Sequence, residues 1–304
     1  MEKVLETDTA PPLVNDDYYF NEIKRYSQYA QSEGWMRKYS RILPFKAVRT
    51  VMLLREYKSK DARLLDVGCS TGLTLGFIAK EFKKALGAEL ERKAAKIAAA
   101  RFRELNLSAV ILQADGSALP FADGKFDIVT HIDVVEHVPN PTALLKETVR
   151  VLKADGILHI TAGNKLWPLE PHYRLLFLSY LPTKFANHYV RLTRRGTGYN
   201  SIRLPTYRQF RRLVEQFFEV EDVTLRCIAD YRRFNLDKER GFVILIVAPI
   251  VRFVLWGEKV MTSLGSYNPF RWIAQLLLHL SLGWLFIARP RQQTYGDLSR
   301  SSNI

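Results

Sequence analysis

The chemistry-bearing residues gather in four short stretches. Leu64-Leu65-Asp66-Val67-Gly68-Cys69-Ser70-Thr71-Gly72 sets an acid ahead of two glycines four residues apart. Gly68 and Gly72 allow a tight turn and let a ligand approach the backbone closely. A helix opening beyond them offers free N–H groups and a positive dipole end, which suits the carboxylate of an amino-acid-like ligand. Glu89 follows Asp66 by 23 residues, and an acid at the end of the next strand can accept both hydroxyls of a ribose. Asp115-Gly116 offers a further carboxylate, suited to an adenine amino group. The fourth stretch is His131-Ile132-Asp133-Val134-Val135-Glu136-His137. A dinucleotide oxidoreductase would show G-x-G-x-x-G; this turn reads G-x-x-x-G after an aspartate, which weakens that alternative.

These stretches need a parallel sheet to bring them together. From residue 63 short apolar runs alternate with helical patterns. Strands are expected at Arg63–Val67, Ala85–Glu89, Ala109–Ala114, Phe126–His131 and Gly156–Thr161, with helices at Leu73–Phe82, Arg92–Leu105 and Thr142–Leu152. Such alternation means βαβ units with right-handed crossovers, in which ligands bind beyond the carboxyl ends of the strands. All four stretches fall at that edge. Asp127, near the start of its strand, is expected to be structural. After residue 162 comes an insert rich in aromatics and proline, to about Leu204. A helix (Thr206–Phe217) and two further strands, near Phe218–Val223 and Thr224–Ile228, follow. Ahead of the sheet, residues 1–16 read as an arm. Residues 17–58 read as two helices, the first rich in tyrosine (Tyr18, Tyr19, Tyr26, Tyr29) and the second spanning about Met36–Tyr57 with a bend expected at Pro44.

In these stretches the chain resembles the class I S-adenosylmethionine-dependent methyltransferases. The resemblance covers roughly residues 60–230. It rests on Asp66-Val67-Gly68-Cys69-Ser70-Thr71-Gly72, Glu89, Gln113-Ala114-Asp115-Gly116-Ser117-Ala118-Leu119-Pro120-Phe121, and Phe126-Asp127-Ile128-Val129 with Glu136-His137. It is similar to the small-molecule branch that includes the ubiquinone and menaquinone biosynthesis methyltransferases. The resemblance implies an α/β, Rossmann-like, doubly wound seven-stranded sheet with a reversed last strand. It implies S-adenosyl-L-methionine as cofactor, with Asp66, Gly68 and Gly72 forming the methionine-side loop. It further implies that Glu89 holds the ribose, Leu90 packs on adenine, Asp115 and Gly116 meet the adenine edge, and His131 lies at the methionine end. Ser70 departs from the glycine that many relatives carry there.

Methyl transfer from a sulfonium is an in-line displacement in which the protein mostly aligns the nucleophile. An oxygen nucleophile must also lose its proton, and a histidine suits that near neutral pH. His137 and His172 are the catalytic candidates, with His131 as a third. His172 lies in Trp167-Pro168-Leu169-Glu170-Pro171-His172-Tyr173-Arg174, an insert placed to arch over the methyl donor as a substrate lid. The tyrosine-rich first helix is expected to close the same cavity.

Composition narrows the partner. The two cysteines, Cys69 and Cys227, can form neither a disulfide framework nor a cysteine zinc site, and no metal ligands are assigned. Cysteine usage and a start without a basic and apolar leader point to a reducing cytoplasmic compartment. The net charge is +14, and residues 160–304 hold 21 Lys/Arg against 10 Asp/Glu. Such an excess suggests an anionic partner, nucleic acid or a membrane surface. Phe242–Trp256 and Trp272–Ala288 are apolar runs at or just below the ~17–25 residues that span a bilayer. Basic residues border them, as at an interface carrying anionic lipid. The reading is therefore a helical cap (1–60), a methyltransferase domain (61–230, lid insert about 163–204) and an apolar, basic C-terminal extension (231–304). The acceptor is expected to be small or lipid-linked and methylated at oxygen. Residues 241–290 are expected to make peripheral contact with the inner membrane face. An RNA or other nucleic-acid methyltransferase is the main alternative, favoured by the arginines at 191–212. It is weakened by the absence of an Asn-Pro-Pro-Tyr-like motif and of an appended nucleic-acid module. A non-catalytic cofactor-binding scaffold is the other alternative.

Overall fold

The computed structural model describes residues 33–292, apart from 83, 108, 266 and 267. The expected arm and tyrosine-rich helix lie outside the described residues. The order begins with α1 (Glu33–Arg55), β1 (Arg63–Val67), α2 (Leu73–Glu81), β2 (Lys84–Glu89), α3 (Arg92–Glu104) and β3 (Val110–Gln113). It continues with β4 (Phe126–His131), α4 (Pro141–Val151), β5 (Leu152–Gly163), α5 (Thr183–Leu192), α6 (Tyr207–Glu215) and β6 (Phe218–Asp222). It ends with α7 (Thr224–Ala229), α8 (Leu236–Arg240), α9 (Phe242–Ser263), α10 (Pro269–His279) and β7 (Gly283–Pro290). Pro44 lies inside α1 without ending it.

The seven strands form one sheet in the order β3-β2-β1-β4-β5-β7-β6. β1 to β5 run parallel, and β7 is antiparallel to both β5 and β6. The inner strands are apolar on both faces because helices cover both. Leu64, Leu65, Ile128, Val129, Leu158 and Ile160 are essentially inaccessible. Local signals set the helix ends. Asn140 accepts the Ala143 N–H ahead of Pro141, and Thr206 with Gln209 forms a reciprocal cap on α6.

The structure moves one expected boundary. β7 lies between β5 and β6, so the catalytic sheet closes only at Pro290 and not near residue 230. Helices α7 to α10 are an insertion in the β6–β7 connection, not an extension beyond the sheet. The apolar run Trp272–Ala288 is divided between α10 and β7, and Thr224–Ile228 is helical rather than a strand. The insert after β5 has a small core of its own, with Tyr173, Leu178, Ala186, Val190 and Ile202 buried.

Candidate active site

The turn after β1 is shaped by backbone that admits no side chains. Gly68 and Gly72 both sit at φ +74°. A Cβ on Gly68 would lie 2.7 Å from the Val134 side chain, and one on Gly72 2.6 Å from Phe102. Left-handed backbone and crowding together select glycine at both. Asp66 is buried beneath this loop and accepts the Thr130 hydroxyl at 2.6 Å. Burial, with Glu89 adding repulsion, pushes its carboxyl up to about 7.

Glu89, at the end of β2, is pinned through both oxygens. It accepts the Ser70 N–H and the Glu91 N–H, each at 2.8 Å. Leu90 follows with 64% of its surface exposed, an apolar side chain standing open at the sheet edge. Asp115 accepts both the backbone N–H and the hydroxyl of Ser117, which hold its carboxyl below the usual range. Gly116 packs so tightly that a Cβ would strike Leu144 and Val67. A glycine-lined turn, two edge carboxylates and an open leucine form a rim that fits an adenosine carrying a cationic sulfonium side chain. Asp66 and Glu89 set acceptor oxygens beside the turn, suited to the cationic or hydroxyl groups of such a ligand, while the N–H groups opening α2 suit its carboxylate.

His131 has no accessible surface. Its Nε2 faces the Thr148 hydroxyl on α4 at 2.8 Å, and burial drives the ring down to about 3. The structure therefore encloses His131 in the core beside α4 and does not bring it to the rim. Asp127 pairs with the Arg63 N–H at 2.9 Å and the Lys153 ammonium at 2.6 Å, at the opposite end of the strand.

A second group of side chains lies just past β4. Asp133, at φ +55°, bonds Thr161 at 2.8 Å and Lys46 of α1 at 2.8 Å. Burial works against its charge, but the Lys46 ammonium outweighs that and holds the carboxyl far below the usual range. Glu136 is buried, and burial with the Asp133 charge pushes it up to about 7. The insert returns His172 to this place. The His172 and His137 rings meet edge to face, 5.1 Å between centroids. Glu170 takes His172 Nδ1 at 2.8 Å and is itself fully buried. Burial lowers the His172 ring, but Glu170, Glu136 and Asp133 more than offset it, and the net shift is upward. His137 is pushed down to about 4 by burial and by His172, while it bonds the Ser201 carbonyl of the insert.

Val134 links the two groups, since it packs against Gly68. The sequence marks both histidines as candidates and places Asp133, Glu136 and Glu170 in the same stretches without a role, while Lys46 is not marked at all. Glu136 and Glu170 neighbour the two histidines in sequence, which is a usable signal. Lys46 is 87 residues from Asp133 and carries none. The reading assigned no metal ligands. Among the described residues, Glu136, His137 and His172 each offer an atom within 4.8 Å of the others, a spacing that also admits a metal ion.

A family model described as a methyltransferase domain matches residues 65–160, which spans the turn, Glu89, Asp115 and the start of the histidine group. The chain is 26% identical over 159 residues to the ubiquinone biosynthesis O-methyltransferase of Methylococcus capsulatus, covering 50% of this chain and 65% of that one. It is 27% identical over 190 residues to the protein of that name from Xylella fastidiosa, covering 60% and 72%. The Xanthomonas oryzae pv. oryzae protein of that name is 33% identical over 107 residues, covering 34% and 44%. The crystal structure of the PH0226 protein from Pyrococcus horikoshii OT3 shares the fold, with TM-score 0.52 at 15% identity, covering 90% of this chain and 99% of that one. Residues 65–160 match a methyltransferase domain, and in its sheet order, its turn and these relatives the chain is similar to the class I S-adenosylmethionine-dependent methyltransferases, enzymes that use S-adenosyl-L-methionine as methyl donor.

Proposed function

We propose that the chain methylates a hydroxyl oxygen on a small, apolar or lipid-linked acceptor. The observation that carries this reading is the pairing of buried Glu170 with half-buried His172, which the insert sets against His137. Asp66, Gly68 and Gly72 would hold the methionine side of the cofactor, Glu89 and Leu90 the adenosine, and Asp115 and Gly116 the base edge. When bound, S-adenosylmethionine supplies a methyl group already activated on sulfur.

The chain's own task is to orient the acceptor hydroxyl and take its proton. A carboxylate at Nδ1 fixes the proton there and leaves Nε2 of His172 as the basic nitrogen. Glu170 also raises the basicity of that ring. His137, tied to Ser201, positions the ring against which His172 packs. The acceptor O–H would give its proton to Nε2 of His172, while the bound cofactor would supply the methyl group to the acceptor oxygen. An imidazole can do this for a phenol-like hydroxyl of pKa near 10, only a few units above its own. The relatives' name, O-methyltransferase of ubiquinone biosynthesis, fits such an acceptor. A lipid-linked acceptor would be met at the cytoplasmic membrane face. Among the described residues no helix is long and apolar enough to cross a membrane, so the contact proposed is peripheral.

The test is methyl transfer from labelled S-adenosylmethionine to phenolic acceptors with and without a prenyl tail, beside bulk RNA. Label on the phenol oxygen supports the reading. Label on RNA alone, with the phenols untouched, would overturn it.

A further inference from the structure

The β6–β7 insertion carries one surface, and shares a second with α6, whose chemistry the methyl-transfer reaction does not use. The first is apolar. On α9 the buried side chains are Ile244, Ala248, Val251 and Val254, which face the protein. Helical periodicity sends Phe242, Ile246, Ile250 and Phe253 to the opposite side, and they are 73%, 54%, 50% and 59% exposed. The one charge between Phe242 and Trp256 is Arg252. It is turned aside, with its Nε donating to the Ala229 carbonyl at 2.6 Å and its guanidinium lying 5.6 Å over the Tyr231 ring. The exposed stripe therefore carries no charge. α10 continues it. Phe270 packs on Phe253 and over Gly257, and the next face outward holds Ile273, Leu276 and Leu280, all exposed.

The second surface is a groove of about 600 Å³ on the other flank of α10, where that helix meets α6. Arg208, Arg211 and Arg212 from α6 and Arg271 from α10 line it, against the single carboxylate of Glu215. Arg211 is engaged by Glu215 at 2.7 Å and by the Tyr207 hydroxyl. Arg208 and Arg212 form no ion pair among the described residues and are exposed. Trp272, 72% exposed, stands on the boundary and lines the groove from the apolar side.

We infer that this groove receives the phosphate head groups of anionic phospholipids while the α9–α10 stripe enters the adjoining acyl layer. An arginine groove alone would suit any polyanion. Here it borders an uncharged aliphatic and aromatic ridge, and that pairing matches the boundary of a lipid leaflet, anionic outside and apolar within. A tryptophan at the boundary is the side chain that prefers that depth. A nucleic acid would leave the ridge in water. The end of α10 is also tied to the root of the insert, where Asn164 donates to the carbonyls of His279 and Ser281. This inference deepens the reading of a peripheral membrane contact and rests on it, but it does not depend on the acceptor.

The test uses the full chain in flotation with phosphatidylcholine vesicles, with and without phosphatidylglycerol. Neutral vesicles report the ridge alone, and the gain on adding phosphatidylglycerol reports the groove. Wild type is expected to float more strongly with the anionic vesicles and to lose that gain in high salt. Arg208→Gln with Arg212→Gln should cut anionic-vesicle binding roughly 25-fold, at about fivefold per cation, while neutral-vesicle binding stays the same. Trp272→Ser with Phe253→Ser should lower binding to both. These side chains are exposed, so circular dichroism and cofactor binding should match wild type. Equal binding to both vesicle types keeps the membrane contact and overturns the groove. Binding to neither overturns both. Salt-sensitive retention of RNA without vesicle binding would assign the groove to nucleic acid instead. A concentration-dependent dimer abolished by Trp272→Ser, without flotation, would assign the ridge to a second copy of the chain.

Discussion

Replacing Glu89 by glutamine separates the charge of that side chain from its shape. The carboxylate already accepts two backbone N–H groups at 2.8 Å, from Ser70 and Glu91. Its remaining lone pairs would serve the ribose. A glutamine keeps one acceptor oxygen and turns the other arm into a donor, which opposes either a backbone N–H or a ribose hydroxyl. A hydrogen bond to a charged group contributes ~1.5–3 kcal/mol, so the cofactor's Kd should rise roughly 10- to 150-fold. Because the ribose is remote from the transferred carbon, the loss falls on ground and transition states alike. KM for S-adenosylmethionine should rise while kcat changes little. Isothermal titration with S-adenosylhomocysteine and its 2′-deoxy analogue sharpens the test into a cycle. Wild type should prefer the ribose form, and the variant should lose most of that preference. If the variant discriminates the two ligands as well as wild type does, Glu89 does not hold the ribose. A loss of affinity that merely tracks a fall in Tm would refute the reasoning equally.

Three further outcomes follow from the geometry. His172→Gln should lower turnover roughly 10²–10⁴-fold with cofactor Kd near normal, and His137→Gln should do less; if a chelator instead stops the wild-type enzyme and a divalent cation restores it, the trio works by holding a metal and the base assignment is wrong. Gly68→Ala should cost ~1–3 kcal/mol in urea unfolding, from φ +74° and the 2.7 Å approach to Val134, and adding Val134→Ala should recover the steric part only; unchanged stability would remove the argument for glycine there. His159 is buried, donates to the Phe286 carbonyl, and is pushed down to about 4 by burial, with Arg49 opposing its charge and Asp133 favouring it. Its folded pKa lies below the unfolded value, so its contribution is complete above about pH 6.5 and is lost as pH falls toward about 4, up to ~3 kcal/mol in all. His159→Gln should flatten the acid limb of stability by about 1 kcal/mol per pH unit in that window, and an unaltered slope would contradict the assigned burial.

Several features were readable from residues alone because their cause is local. Gly68 and Gly72 announce a turn, since a left-handed backbone disfavours every other residue type. The alternation of apolar runs with amphipathic helices set the parallel part of the sheet, and the strands through β5 lie within a few residues of expectation. The last strand was hidden for a physical reason. β7 is buried on both faces between β5 and β6, so Trp284, Leu285, Phe286 and Ile287 show no alternation and follow the apolar pattern of α10 with only His279, Ser281 and Gly283 to interrupt it. What ends the helix is tertiary: the Trp284 indole donates back to the Leu278 carbonyl, and Asn164 takes the carbonyls of His279 and Ser281. Thr224–Ile228 misleads in the same way, because a short apolar run fits either state and its Thr224 hydroxyl is bonded across to Leu285 on β7. The site divides along the same line. Asp66, Glu89 and Asp115 follow strand ends and could be placed by counting. The pairing of Lys46 with Asp133, and the return of His172 to His137, depend on how α1 and the insert close over the sheet, and contacts across such distances in the chain leave no periodicity to read.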